Sequence, residues 1–131
     1  MKIEEMQKII DDTDYWDCRL LDFSINYFGD EISMVIEDEE QLCYVIKFLL
    51  CYKVEYETDA KDRWKGMEVK LMNRGQLAYF VHDISLKRSM EEGFIEVNLD
   101  LAPLFTKIIC KDILVTHTKY ENTDFFWNKN K

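Results

Sequence analysis

The chain reads as an α+β fold that is mainly antiparallel β: a meander-like sheet or sandwich of six to seven strands with a short N-terminal helix. Three observations predict this. Apolar residues recur at every second position in several separate runs. Turn signals such as Gly29-Asp30 and Asn73-Arg74-Gly75-Gln76 fall between those runs. One early segment alone carries clear helical spacing.

That segment spans residues 3–10, where Ile3, Met6, Ile9 and Ile10 share a face and Glu4 and Glu5 meet the positive end of the helix dipole. So short a helix is marginal alone and must dock its apolar side. Asp11-Asp12-Thr13-Asp14 reads as a polar connector. A hairpin follows. Leu21, Phe23, Ile25 and Tyr27 are apolar at odd positions, and Ile32, Met34 and Ile36 at even ones. Gly29-Asp30 between them suits a two-residue type II′ turn. That turn sets Tyr27 opposite Ile32, Ile25 opposite Met34 and Phe23 opposite Ile36, all on one face.

Residues 42–57 keep every even position apolar, so a long strand is expected there, buried on both faces at first and bulged or broken near Lys47. Residues 58–66 form a charged loop around Trp64. Strands are expected at 67–72, 77–87 and 94–101, then a break at Pro103 with a helical turn from Leu104, and an irregular last strand at 108–116. The terminal Asp-Phe-Phe-Trp run at 124–127 is expected to dock on the body of the fold.

A length of 131 residues suits one domain, 1–131, and 47% apolar residues is enough for a core. The net charge is −9, and it is lopsided: residues 1–60 carry −11 and residues 61–131 carry +2. Such a field disfavours nucleic acid and membrane surfaces and favours a basic protein partner. The first residues lack a signal-peptide pattern, and no apolar run is long enough to span a bilayer. Cys18, Cys43, Cys51 and Cys110 show neither CxxC pairing nor metal-ligand spacing, so reduced structural thiols and a cytoplasmic location are expected.

Signatures of catalysis are sparse. No GxSxG, P-loop, GxGxxG, HExxH or EF-hand pattern occurs, and His82 and His117 are the two histidines. His82 shares parity with Phe80, Ile84 and Leu86, which suits a satisfied core or rim histidine. A hydrolase using Cys51 or His82 is the enzymatic alternative, since Cys–His pairs assemble across a fold. A β-sheet cup for a small apolar ligand is another, given the many Phe, Tyr and Met residues, and an unassigned structural domain a third. The carboxylate groups Asp11, Asp12, Asp14, Asp17 and Glu37 to Glu40 lack EF-hand spacing. No cofactor, metal or catalytic residue is therefore expected, and the oligomeric state is left open.

Trp16-Asp17, Leu20-Leu21, Phe23, Ile25, Tyr27, Gly29-Asp30, Ile32 and Met34 resemble the opening of small bacterial immunity proteins of polymorphic toxin systems. The likeness covers about the first third of the chain, with Trp16 standing where that pattern carries a histidine. It implies a cytoplasmic, non-catalytic protein that binds and neutralises a basic partner such as a toxin. Asp30, Glu31, Glu37, Asp38, Glu39 and Glu40 would then meet the partner, with Trp16 or Trp64 as aromatic anchor.

Overall fold

The structure is a computed structural model that describes residues 2–63 and 65–128. Trp64 therefore lies outside the described residues. Among the described residues, eight antiparallel strands form two four-stranded sheets. The first has the order β1 (Leu20–Asn26), β2 (Glu31–Glu37), β3 (Leu42–Leu49), β8 (Asp112–Lys119). The second has the order β4 (Lys53–Glu57), β7 (Leu104–Cys110), β6 (Ile95–Leu101), β5 (Asp83–Arg88). Helix α1 (Ile3–Asp11) packs against β5 and β8. The fold class agrees with the sequence reading, with one or two strands more than expected.

Alternation makes the sandwich. Ile32, Met34, Ile36, Ile46 and Phe48 of the first sheet meet Ile84, Val97, Leu99, Leu101, Leu104 and Ile108 of the second in one buried cluster. Met6 and Ile10 of α1 join it. The first sheet is buried on its other face too. There Leu21, Val35 and Cys43 pack under Leu77 and the tail residues Tyr120, Phe125 and Trp127. A bulge between Leu20 and Asp22 puts Leu21 on the outer face together with Asp22, while Leu20 and Phe23 face the inner cluster. The odd position of Leu21 predicted that it would share the face of Phe23, and it does not. The docked tail bears out the expectation for residues 124–127. Phe125 and Trp127 stack at 4.5 Å, and the Trp127 Nε1–H donates to the Leu21 carbonyl at 2.8 Å.

Several local expectations change. The β1–β2 hairpin exists, but its ladder pairs Ile25 with Ile32 and Phe23 with Met34, two residues away from the predicted register. Tyr27, Phe28 and Gly29 all take left-handed backbone, and the connection is the four residues 27–30. Parity is blind to this, because a shift of two returns every side chain to the same face.

The expected strand 42–57 is two strands, broken at residues 50–52, not at Lys47. Leu50 is left-handed there, and the chain passes from one sheet to the other. The expected strand 108–116 likewise divides at Lys111 into the end of β7 and the start of β8. The two corners are hydrogen-bonded together, Lys111 N–H to the Leu49 carbonyl and Tyr52 N–H to that of Ile109. No helical turn follows Pro103, since β7 begins at Leu104. Residues 67–72 form a 3-10 turn (Val69–Leu71) instead of a strand, and the expected strand 77–87 is regular only from Asp83.

Candidate functional site

The acidic groups are sorted by β2. Its first residue, Glu31, and its last, Glu37, are separated by about 20 Å at the usual rise per strand residue. Asp30 and Glu31 therefore lie at one end of the first sheet, and Glu37, Asp38, Glu39 and Glu40 at the other. The six carboxylates proposed from sequence do not form one patch.

Glu37 to Glu39 instead meet the connector after α1. Asp14 and Asp17 adopt left-handed backbone, a conformation that Asp tolerates better than most residues. This coils the connector tightly, with the Cys18 N–H reaching back to the Tyr15 carbonyl. Two bonds then pin it: Asp17 N–H donates to the Val81 carbonyl at 2.7 Å, and Val81 N–H to that of Cys18 at 2.8 Å. From the other side the Glu37 N–H donates to the Arg19 carbonyl at 2.9 Å. The result is a shallow cavity of about 350 Å³ whose lining includes Asp14, Asp17, Cys18, Glu37, Asp38 and Glu39. Glu40 is exposed on the adjoining turn.

The local charges leave a mark on chemistry. Burial pushes the Cys18 thiol up, and the neighbouring Asp14, Glu37, Asp38 and Asp17 push it further. Some of the negative charge has a partner. Glu37 pairs with Arg74, Asp38 Oδ2 lies 2.7 Å from His117 Nε2, and Asp17 Oδ1 lies 3.9 Å from His82 Nδ1. His117 in turn stacks on Tyr44 at 4.4 Å. Both histidines thus border the acidic end, a convergence that two positions 35 residues apart did not announce. His82 is a rim residue, exposed, with its backbone N–H bonded to the Asp100 carbonyl.

Trp16 belongs to this end. Its ring stacks on Tyr15 at 4.2 Å and remains 47% exposed. Tyr15 itself is buried, and its hydroxyl donates to the Ile84 carbonyl (3.2 Å) and accepts from the Ile84 N–H (3.1 Å). A rigid, buried tyrosine therefore holds an exposed tryptophan between two aspartates. Sequence reasoning named Trp16 but missed that Asp14 and Asp17 would join Glu37 to Glu39. The available signal was the density of Asp in the connector.

The enzymatic alternative loses its pair. Cys51 is buried at the sheet corner, its thiol donating to the Phe48 carbonyl at 3.2 Å. His82 sits at the opposite end of the second sheet, beside Asp100, while Cys51 lies by the Ile109–Glu96 end. Four strand residues, about 14 Å, separate these rows. Among the described residues no group of three His, Cys, Asp or Glu side chains is placed to hold a metal ion. A more apolar cavity of about 340 Å³ lies between Phe23, Tyr56, Tyr79, Leu77 and Phe126. It is the nearest feature to the small-ligand cup.

A strand-rich fold with a tryptophan set among clustered acids, and with Cys51 and His82 far apart, invites comparison with known proteins. The model of the Immunity protein PIM7 family matches residues 2–117. The chain belongs to that family. The match spans α1, every strand of both sheets apart from the last two residues of β8, and the whole acidic end. No curated protein matches this PIM7 chain. Among solved structures it is similar to one titled as an uncharacterized protein from Neisseria gonorrhoeae, at 15% identity and a TM-score of 0.51. That match covers 77% of this chain and 91% of the other, and it speaks for the fold alone. Among the described residues no helix is long and apolar enough to cross a membrane.

Proposed function

We propose that this immunity-type protein neutralises a basic toxin in the cytoplasm by binding it, without catalysis, through the acidic end around Trp16. The observation that carries the reading is the convergence of Asp14 and Asp17 with Glu37, Asp38 and Glu39 beside a half-exposed tryptophan on a buried tyrosine. Family membership supports a protein partner. Clustered carboxylates draw a basic protein in by long-range attraction, and a rigid aromatic ring supplies the desolvated anchor that charge alone does not. Four free cysteines suit a reducing compartment.

The test begins with affinity capture of the partner from the native host, washed at low and then high salt. The purified partner is then titrated against wild type and an Asp14→Asn, Asp17→Asn, Glu39→Gln variant. These three acids are chosen to keep the Glu37–Arg74 and Asp38–His117 contacts intact. Association at low salt is expected to slow by about tenfold or more, with the two proteins converging as salt rises. An unchanged association rate and salt slope would remove the acidic end from the mechanism.

A further inference from the structure

The end of the first sheet opposite the acidic cavity carries a different feature. Tyr27 and Phe28 lie outside the β1–β2 ladder, Phe28 fully exposed and Tyr27 74% exposed. Both have positive φ (54° and 58°), and Gly29 follows at 98°. Positive φ suits glycine and is rare for aromatic residues, because the Cβ then crowds the backbone. The corner between β3 and β4 repeats the pattern. Leu50 has φ 56° and is 61% exposed.

These two corners are neighbours, since the Cys51 N–H donates to the Asp30 carbonyl at 2.8 Å. Two adjoining corners therefore carry three large exposed side chains, each on backbone that ordinary folding would avoid. Strained backbone that shows apolar groups to water is a cost with no return inside the fold.

The surroundings say what would cover them. Asp30 adjoins the turn, and Glu31, Leu49 and Asp112 form one row across β2, β3 and β8. The corner lysine, Lys111, is held 5.1 Å over the Phe94 ring. Asp30, Glu31 and Asp112 thus border the prongs, and around Leu50 the carboxylates Glu4, Glu5, Glu91, Glu92 and Asp112 outnumber Lys2, Arg88 and Lys111.

We propose that Tyr27, Phe28 and Leu50 form a docking prong that inserts into an apolar recess bordered by lysines or arginines on the protein this chain neutralises. The inference rests on the reading that the chain binds a basic protein, but it concerns a separate surface. Exposed aromatics bordered by acids match a recess bordered by bases, and Tyr-type anchors lose little side-chain freedom on binding.

The experiment places a photo-crosslinking phenylalanine analogue at position 28, at position 16, or at exposed Leu114 as control, in the full chain in its native host. Position 28 is expected to crosslink to the same basic protein as position 16, at an apolar residue flanked in space by Lys or Arg. Position 114 is expected to give no such product. Phe28→Gly is then expected to weaken binding of the captured protein by about 30-fold or more. Its melting temperature should stay at or above that of wild type, because glycine relieves the left-handed strain. Crosslinking from 16 but not from 28, or Phe28→Gly binding within about twofold of wild type, overturns the prong and leaves the acidic end standing. Crosslinking from 28 but not from 16 does the reverse. No crosslink from either position overturns both.

Discussion

Tyr15 offers the sharpest quantitative test, because one hydroxyl links the acidic end to the edge of the second sheet. β5 is an edge strand, and the Ile84 N–H has its partner in the Tyr15 hydroxyl. The Ile84 carbonyl has two, Tyr15 and the Gln7 side-chain amide at 2.8 Å. Tyr15→Phe therefore orphans one buried donor but not the acceptor. A buried unsatisfied group costs about 1–3 kcal/mol, so a loss of about 2 kcal/mol is expected near neutral pH.

Alkali gives an independent measure of the same site. Burial, with smaller contributions from Asp83 and Asp11, pushes the Tyr15 hydroxyl up to about 12 from an ordinary value of 10.0, against a lowering bond from Ile84. A raised folded pKa on an acid means that the folded state holds its proton more tightly than the unfolded state. Its stabilisation is full below about 10 and disappears as pH rises through about 12. Two pKa units correspond to about 2–3 kcal/mol. Other tyrosines, among them Tyr44 and Tyr79, are also raised, so wild type alone is not diagnostic. The difference between wild type and Tyr15→Phe is. Urea unfolding of both proteins from about pH 8 to about pH 11.5 is expected to show their stability gap closing steadily above about pH 10. A gap that stays constant across that range would refute the assignment of the buried hydroxyl to the β5 edge.

Two further outcomes test the remaining layers. Trp127→Phe keeps a ring against Phe125 but removes the Nε1–H that meets the Leu21 carbonyl, so a loss of about 1–2 kcal/mol and a fall in Tm of about 3–8 °C are expected by calorimetry. Cys18 reports on the acidic end without any partner. Its burial and the four neighbouring carboxylates hold the thiol protonated, so alkylation near pH 8 should be slower than that of a free cysteine by about tenfold and should speed up with added salt. A Cys18 rate insensitive to salt would show that the carboxylates do not act on it.

The sequence was most informative where one face of a strand is buried and least where the chain changes direction. Alternation located β1, β2 and β6 because a wrong phase would bring Asp22 or Glu96 into the sandwich interior. It gave no warning at Leu50, since Tyr52, Val54 and Tyr56 continue the even phase of Ile46 and Phe48 across the corner. The double burial of the first sheet was legible in Cys43 and Val45, but its cover was not, because Leu77 and the aromatic tail reach it from distant positions. The acidic end was half legible. Runs of carboxylate are visible in a sequence, yet which run meets which depends on strand length, and β2 carries Asp30 and Glu31 away from Glu37. Phe28 had no signal beyond standing beside a glycine.

The acidic cavity and the left-handed aromatic turn lie at opposite ends of the first sheet, and this distribution bears on how they are read. Both free edges of the second sheet are defended. Gln7 donates to the Ile84 carbonyl and accepts from the Leu86 N–H, and Tyr15 closes the remaining gap, so α1 and its connector occupy the positions a neighbouring strand would take on β5. The β4 edge carries exposed Lys53, Glu55 and Glu57, charges that discourage pairing with another chain. A sheet whose edges are protected in this way does not rely on the exposed aromatics of the other sheet. Gathering carboxylates at one end and holding Tyr27, Phe28 and Leu50 on left-handed backbone at the other both work against the stability of the free chain. Such local conflicts are expected where a surface is shaped for contact, because a bound partner with basic groups and an apolar recess supplies the compensation that the isolated protein lacks.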